Sequence, residues 1–320
     1  MNARSLASRV VARDRAAIAE ALNLTEDRRA SARASLSELL AALRATGAID
    51  RAHRVGITGP PGVGKSTLVS ALVRTVRGAA SPKTIGVLAV DPSSIRSGGA
   101  LLGDRSRIAP DPSDAGLFVR SLATAGEHGG IARSVPAGVL VLSAAFDVTL
   151  VETVGVGQTE TDVGYVTDDV AFVVQPGSGD ALQFLKAGIM ELPDVLVVNK
   201  VDQGDLARRA MADLKAALTS LNRAGIGERA GIPVLATSAL DGTGVSSLWA
   251  ALASHRALLE ASGELATRRR AGTIAWGTRA FVRRHGDAGV ERVGGEEALK
   301  QAIATRLEAG EEIPSIVDAI

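Results

Sequence analysis

The chain has 320 residues, 36 Lys+Arg against 35 Asp+Glu for a formal net charge of +1, and no cysteine. These counts exclude a disulfide scaffold, a Cys-ligated zinc site, an iron–sulfur cluster and thiol catalysis, and the near-zero charge argues against an electrostatic nucleic-acid binder. With 46% hydrophobic and 22% charged residues and no apolar run near the roughly 18–20 residues that span a bilayer, a globular protein of the cytoplasm with no membrane contact is expected.

Residues 1–50 read as an N-terminal helical extension. Leu6, Val10, Val11, Ile18, Ala21 and Leu22 recur at helical spacing, and Leu36, Leu39, Leu40 and Leu43 repeat the pattern. Asn23, Thr25 and Glu26 punctuate two predicted helices, and Gly47 ends the second. From His53 the texture changes. HRVGIT, TIGVLAVD, DVTLVET, DDVAFVVQ, DVLVVNK and IPVLATSA are short Val- and Ile-rich runs separated by helix-length segments. That is the sequence form of a parallel sheet covered on both faces, so residues 51–256 are predicted as a doubly wound α/β domain with at least six strands. Ser134–Phe146 is ambiguous between buried strand and helix; Pro136, suited to a first helical turn, favours helix. Residues 257–320 read as a charged helical region without a catalytic signature, and the run Arg268–Arg270 reads as a solvated helix face.

The strongest motif follows the first run. Gly59-Pro60-Pro61-Gly62-Val63-Gly64-Lys65-Ser66-Thr67 matches G-x-x-x-x-G-K-S/T between a predicted strand and a predicted helix. Glycines let backbone N–H groups converge on phosphate oxygens, and the helix N-terminus adds a positive dipole. Lys65 supplies a compact charge to the β- and γ-phosphates, and Ser66 a hydroxyl for Mg2+. Asp91, Asp104 and Glu152 are candidate metal and water ligands, two of them closing apolar runs. Gly155, three residues after Glu152, lets a backbone N–H approach the γ-phosphate, and Gln158 is a candidate for ordering the attacking water. Segment 154–160 therefore has the character of a switch. Asn199-Lys200-Val201-Asp202 closes a later run. The Asp202 carboxylate there is expected to accept from guanine N1–H and N2–H2, which adenine cannot match. Thr237, Ser238, Ala239 and Leu240 fit a last purine-contacting loop. The chemistry predicted is in-line attack of water on the γ-phosphate; Arg96, Arg105, Arg107 and Arg120 all lie near switch-like segments, and none is singled out.

Several longer strings carry more specificity. GITGPPGVGKST (56–67), VDPSS (90–94), GGALLGDR (98–105), FVRSLAT (118–124), LVETVGVGQTE (150–160) and GDALQFLKAGIMELPDVLVVNKVD (179–202) resemble the MeaB/ArgK/MMAA family of GTPases. Members are chaperones of adenosylcobalamin-dependent acyl-CoA mutases. The resemblance implies binding of GTP/GDP and Mg2+, GTP hydrolysis that is slow alone and stimulated by a partner, and gating of cofactor loading on a mutase. Adenosylcobalamin enters only through that mutase. It also implies a homodimer joined through residues 257–320. Asp180, Gln183 and Lys186 fall in the loop that looks like the family's third switch. Ile95-Arg96-Ser97 and Phe184-Leu185-Lys186-Ala187-Gly188 depart from the family pattern. They leave open whether methylmalonyl-CoA mutase or a related acyl-CoA mutase is served. The alternative is a metal-insertion GTPase of the hydrogenase or urease maturation type. It needs Cys/His ligands, and His53, His128, His255 and His285 are scattered along the chain. A kinase acting on a transport-binding protein has no acceptor-binding motif to support it.

Overall fold

Strands of Val, Ile and Ala that are apolar on both sides must be covered on both faces, and they are. A computed structural model describes residues 2–91, 113–123, 132–153, 162–177, 193–223 and 231–320. Seven strands form one parallel sheet: β1 (His53–Thr58), β2 (Ile85–Asp91), β3 (Leu117–Ala123), β4 (Val148–Glu152), β5 (Asp169–Val174), β6 (Val195–Val198) and β7 (Val234–Ala236). Their order is β3-β2-β4-β1-β5-β6-β7. The chain leaves β1 for one side of the sheet and crosses back past it between β4 and β5. Such a reversal opens a crevice at the carboxyl ends of the strands, where open α/β sheets bind ligands.

The described helices are α1 (Ala3–Val11), α2 (Arg15–Glu26), α3 (Ala30–Ala45), α4 (Ala48–Arg51), α5 (Lys65–Arg77), α6 (Val135–Ala145), α7 (Asp205–Arg223), α8 (Val245–Ser262), α9 (Glu264–Val293), α10 (Glu296–Glu308) and α11 (Ile313–Ala319). Alternate residues of the strands divide the core. Leu88, Val151 and Val170 face α6 and the N-terminal helices. Val55, Ile57 and Val173 face α5 and α8. Ser134–Phe146 is helical, as its proline suggested, and every residue of α6 is buried.

Three sequence expectations change. The first predicted N-terminal helix is two helices. Arg13 takes a left-handed backbone, φ 62°, and Asp14 caps α2 by accepting from the N–H groups of Ala16 and Ala17 at 2.9 and 3.1 Å. β3 carries Arg120 and Ser121 on an edge strand, where double-sided burial is not required, and its weaker apolar pattern follows from that position. The Arg268–Arg270 run is not a solvated face throughout. Arg269 chelates the buried Asp168 carboxylate at 2.8 and 2.9 Å, and Arg268 donates to Asp194 at 2.8 Å.

These contacts belong to a polar cluster beneath the amino ends of β1, β5 and β6. Asp168 also accepts from the Arg54 N–H at 2.9 Å and pairs with Arg256 of α8. Nor are the histidines all scattered: His53 and His255 converge on the two oxygens of Asp169. Asp169, Asp194 and His255 place ligand atoms within 4.8 Å of one another, with Arg268 supplying the counter-charge to Asp194. Burial alone would raise the Asp169 pKa, but hydrogen bonds with His255 and His53 outweigh it and hold the carboxyl below its ordinary value.

The hydrogen bond to Asp169 also raises the His255 pKa. A raised folded-state value means that the stability contribution is complete below the ordinary imidazole value of about 6.5 and disappears as pH rises through the higher folded value. The gap in thermal midpoint between the protein and His255→Gln should therefore narrow from pH 6 to pH 9. A gap independent of pH in thermal unfolding would contradict this.

Candidate functional site

The loop Gly59–Gly64 joins β1, at the centre of the sheet, to the N-terminus of α5. Two of its positions admit only glycine. At Gly59, φ is 138° and a Cβ would lie 2.0 Å from the Val173 carbonyl oxygen; at Gly64, φ is 92° and a Cβ would lie 2.8 Å from Asn199 Nδ2. The loop thus lies against β5 and the β6–α7 connection. Lys65, only 7% exposed, donates from Nζ to the carbonyls of Gly59 and Pro60 at 2.8 and 2.9 Å. Its ammonium is held across the mouth of its own loop. Pro61 and Gly62 are exposed, Val63 is buried, and Thr67 is half-buried in the first turn of α5.

Ser66 and Glu152 meet at the same end of the sheet. Glu152 closes β4 in register with Ile57 of β1, and its buried Oε1 accepts from the Ser66 hydroxyl at 2.6 Å. Thr58 and Thr153 share a hydrogen bond of 2.8 Å just beyond. A hydroxyl and a carboxylate, both hard oxygen donors beside a phosphate loop, fit the donor set that Mg2+ takes. The backbone of Asp91 closes β2, the strand on the far side of β4. Asp104, Gly155, Gln158, Asp180, Gln183 and Lys186 lie outside the described residues, as do Arg96, Arg105 and Arg107. Arg120 is engaged elsewhere, donating to Asn23 and Glu26 of α2 at 2.7 Å each.

The residues expected on the purine side are tied to the phosphate loop. Asn199 is 1% exposed; its Nδ2 donates to the Val63 carbonyl at 2.9 Å. Its Oδ1 accepts from the Thr237 hydroxyl at 3.1 Å and from the Ala239 N–H at 3.2 Å. One buried amide therefore joins three loops. Lys200, at φ 62°, donates to the Gly62 carbonyl at 2.7 Å and to Gln175 Oε1 at 2.6 Å. Asp202 is exposed in the helical turn Val201–Gln203. Ser238 and Ala239 are buried, while Leu240 is 79% exposed. Gln175 was not singled out from the sequence. Its signal is slight, a polar residue directly after an apolar strand run.

A central strand, a glycine loop wrapped around a lysine, and a helix opening on Lys65-Ser66-Thr67 in a parallel sheet define a P-loop nucleotide-binding protein. Known proteins narrow the class. The family model described as "Methylmalonyl Co-A mutase-associated GTPase MeaB" matches residues 18–286. A "Probable GTPase" of Mycobacterium tuberculosis is 40% identical over 319 residues, 97% of this chain and 91% of that protein. The "Methylmalonic aciduria type A homolog, mitochondrial" of Mus musculus is 37% identical over 274 residues, 82% of this chain and 65% of that protein. A solved structure described as a LAO/AO transport system kinase superposes with a TM-score of 0.69 at 26% identity, covering 96% of this chain and 98% of that one. The chain belongs to the MeaB family of GTPases.

Replacing Asn199 by Ala leaves its partners in two other loops unpaired, the Val63 carbonyl in one and the Thr237 hydroxyl and Ala239 N–H in the other. It should lower stability by about 1–3 kcal/mol in urea unfolding. It should also weaken binding of a fluorescent GDP analogue about tenfold. An unchanged GDP affinity would show that the three loops hold their places without the amide.

Proposed function

We propose that this protein binds GTP with Mg2+, hydrolyses GTP slowly alone, and acts as the GTP-dependent chaperone of an adenosylcobalamin-dependent acyl-CoA mutase. The observation that carries the nucleotide reading is the tethering of both halves of the site to one loop. Lys65 and the Ser66–Glu152 pair stand on the phosphate side, and Asn199 and Lys200 bind the same loop from the purine side. The mutase reading rests on the family's description and on the name of the mouse relative.

In this reading the Lys65 ammonium exchanges the Gly59 and Pro60 carbonyls for β- and γ-phosphate oxygens. The N–H groups of the loop and the first turn of α5 complete the phosphate cradle. Ser66 and Glu152 hold Mg2+, with Asp91 and Asp104 in the surrounding metal and water shell. When bound, the ion neutralises charge on the β- and γ-phosphates. Gly155 brings a backbone N–H to the γ-phosphate, and Gln158 helps to order the attacking water. Asp202 accepts from the guanine edge, and the Ser238–Leu240 loop closes against the base. Asp180, Gln183 and Lys186 carry nucleotide state to the mutase. Residues 1–50 and 257–320 flank a GTPase domain of residues 51–256, and the C-terminal region forms a homodimer contact. The setting is the cytoplasm; no helix among the described residues is long and apolar enough to cross a membrane.

The test is GTP turnover by the purified protein against a panel of adenosylcobalamin-dependent acyl-CoA mutases. One mutase should raise turnover and bind differently in GTP and GDP. Absence of both effects with every mutase would overturn the chaperone reading and leave the GTPase reading standing. For the base, Asp202→Asn should move preference from guanine to xanthine nucleotides, by about the 10⁴-fold that mismatched polar sites impose. Unchanged GTP affinity would refute the assignment.

A further inference from the structure

Parallel strands that end side by side bring the residues beyond their ends within reach of one another, and the heads of β5 and β6 do so here. Their register pairs Phe172 with Leu196, Val173 with Val197 and Val174 with Val198. The Asn199 N–H extends it by donating to the Val174 carbonyl at 2.9 Å. All six paired residues are buried and apolar. Gln175, directly after the run Val170–Val174, is the first side chain beyond it that can accept a hydrogen bond, and Lys200 stands two residues past Val198.

Lys200 holds a backbone conformation that a side chain disfavours. Its φ of 62° lies in the left-handed region, and among the described residues only Arg13 shares that state outside glycine. Such a conformation persists where surrounding contacts over-determine it. Two acceptors on separate elements hold the Lys200 ammonium: the Gly62 carbonyl of the phosphate loop at 2.7 Å and Gln175 Oε1 at 2.6 Å. The first bond is exposed, while the second is half-buried at the head of a buried strand. Strand β5 therefore meets the phosphate loop twice. Its Val173 carbonyl lies against Gly59, and its Gln175 reaches Gly62 through Lys200. The kind of acceptor matters as well. An amide oxygen is neutral, so it fixes the ammonium without cancelling its charge, whereas a carboxylate would bring negative charge to a loop built for phosphate.

We propose that Gln175 is a positioning residue for the guanine nucleotide: by holding the Lys200 ammonium against the phosphate loop, it sets the spacing between that loop and the Asn199–Asp202 segment. The inference rests on the nucleotide reading and adds to it a residue outside both motifs. It also separates two classes of ligand. A nucleoside diphosphate spans the two segments and depends on their spacing. A bare polyphosphate occupies the phosphate loop alone and does not. Gln175 thus governs the affinity for GDP and leaves that for tripolyphosphate untouched.

The test is a double-mutant cycle on the full-length protein with Mg2+, comparing the unaltered chain, Gln175→Met, Lys200→Met and the double variant, each checked for native circular dichroism. GDP and tripolyphosphate each displace a fluorescent GDP analogue, and their dissociation constants are corrected for the affinity of the analogue. Methionine matches glutamine in length and offers only a weak sulfur acceptor. Gln175→Met should raise the GDP dissociation constant about tenfold, the loss of one hydrogen bond to a charged group, and change that of tripolyphosphate by less than about twofold. In the Lys200→Met background the same substitution should alter GDP affinity by less than about twofold, because the group it holds is gone. Gln175→Ala carries the same expectations, so the outcome does not hang on one substitution. The proposal is overturned if Gln175→Met binds GDP as well as the unaltered chain does, or if its loss is as large without Lys200. It is equally overturned if tripolyphosphate weakens in parallel, which marks general damage to the phosphate loop. Failure of the unaltered chain to bind GDP would instead overturn the nucleotide reading itself.

Discussion

Asp168 and Asp169, consecutive and fully buried at the foot of β5, hold the molecule's parts in a single register. Two adjacent carboxylates in a protein interior are sustained only by close counter-charges and donors. Here they draw in Arg54 of β1, His255 and Arg256 of α8, His53 of β1 and Arg269 of α9. Strands β1 and β5 are hydrogen-bonded neighbours. Fixing their amino ends fixes where their carboxyl ends emerge, and those ends deliver Gly59 and Gln175. Removing one member of such a cluster would leave buried charge uncompensated, so the arrangement specifies position even where it adds little net stability.

At the opposite end of the same strands the logic is repeated with backbone groups, one amide and one ammonium. Gly59 sits against the Val173 carbonyl, Asn199 spans from Val63 to Thr237 and Ala239, and Lys200 reaches back to Gly62. The phosphate loop is held from both sides before any nucleotide arrives. Preorganisation of that sort lowers the entropic cost of binding, because the donors need not be gathered by the ligand. The Ser66–Glu152 contact extends the order to β4, the strand between the loop and β2.

Much of this was legible in the sequence because its signals are local. The parallel sheet followed from double-sided apolar runs, and the loop from glycine spacing between a strand and a helix. Lys65, Ser66, Glu152, Asn199 and Lys200 could all be picked out by position at strand and helix ends. What was not legible depends on contacts between distant residues. Arg268 and Arg269 resemble any exposed basic helix face until Asp194, 74 positions before Arg268, and Asp168, 101 positions before Arg269, are brought beneath α9 by the sheet. His53 and His255 look unrelated in the chain and share one carboxylate in the fold. β3 escaped because an edge strand is free to carry arginine and serine, and the break at Arg13 because a single left-handed residue leaves the helical periodicity on either side intact. Asn199 is the subtler case. Its motif points to the purine side, yet its amide is spent within the protein, joining its own loop to those of Val63 and of Thr237 and Ala239.

We propose that these loops form a site for a guanine nucleotide. The most direct measurement is competition between GTP and ATP for the purified protein in the presence of Mg2+. A selecting carboxylate that adenine leaves unmatched should let GTP displace a fluorescent guanine nucleotide with at least about a thousandfold advantage over ATP. Displacement by ATP at comparable concentrations would contradict the claim.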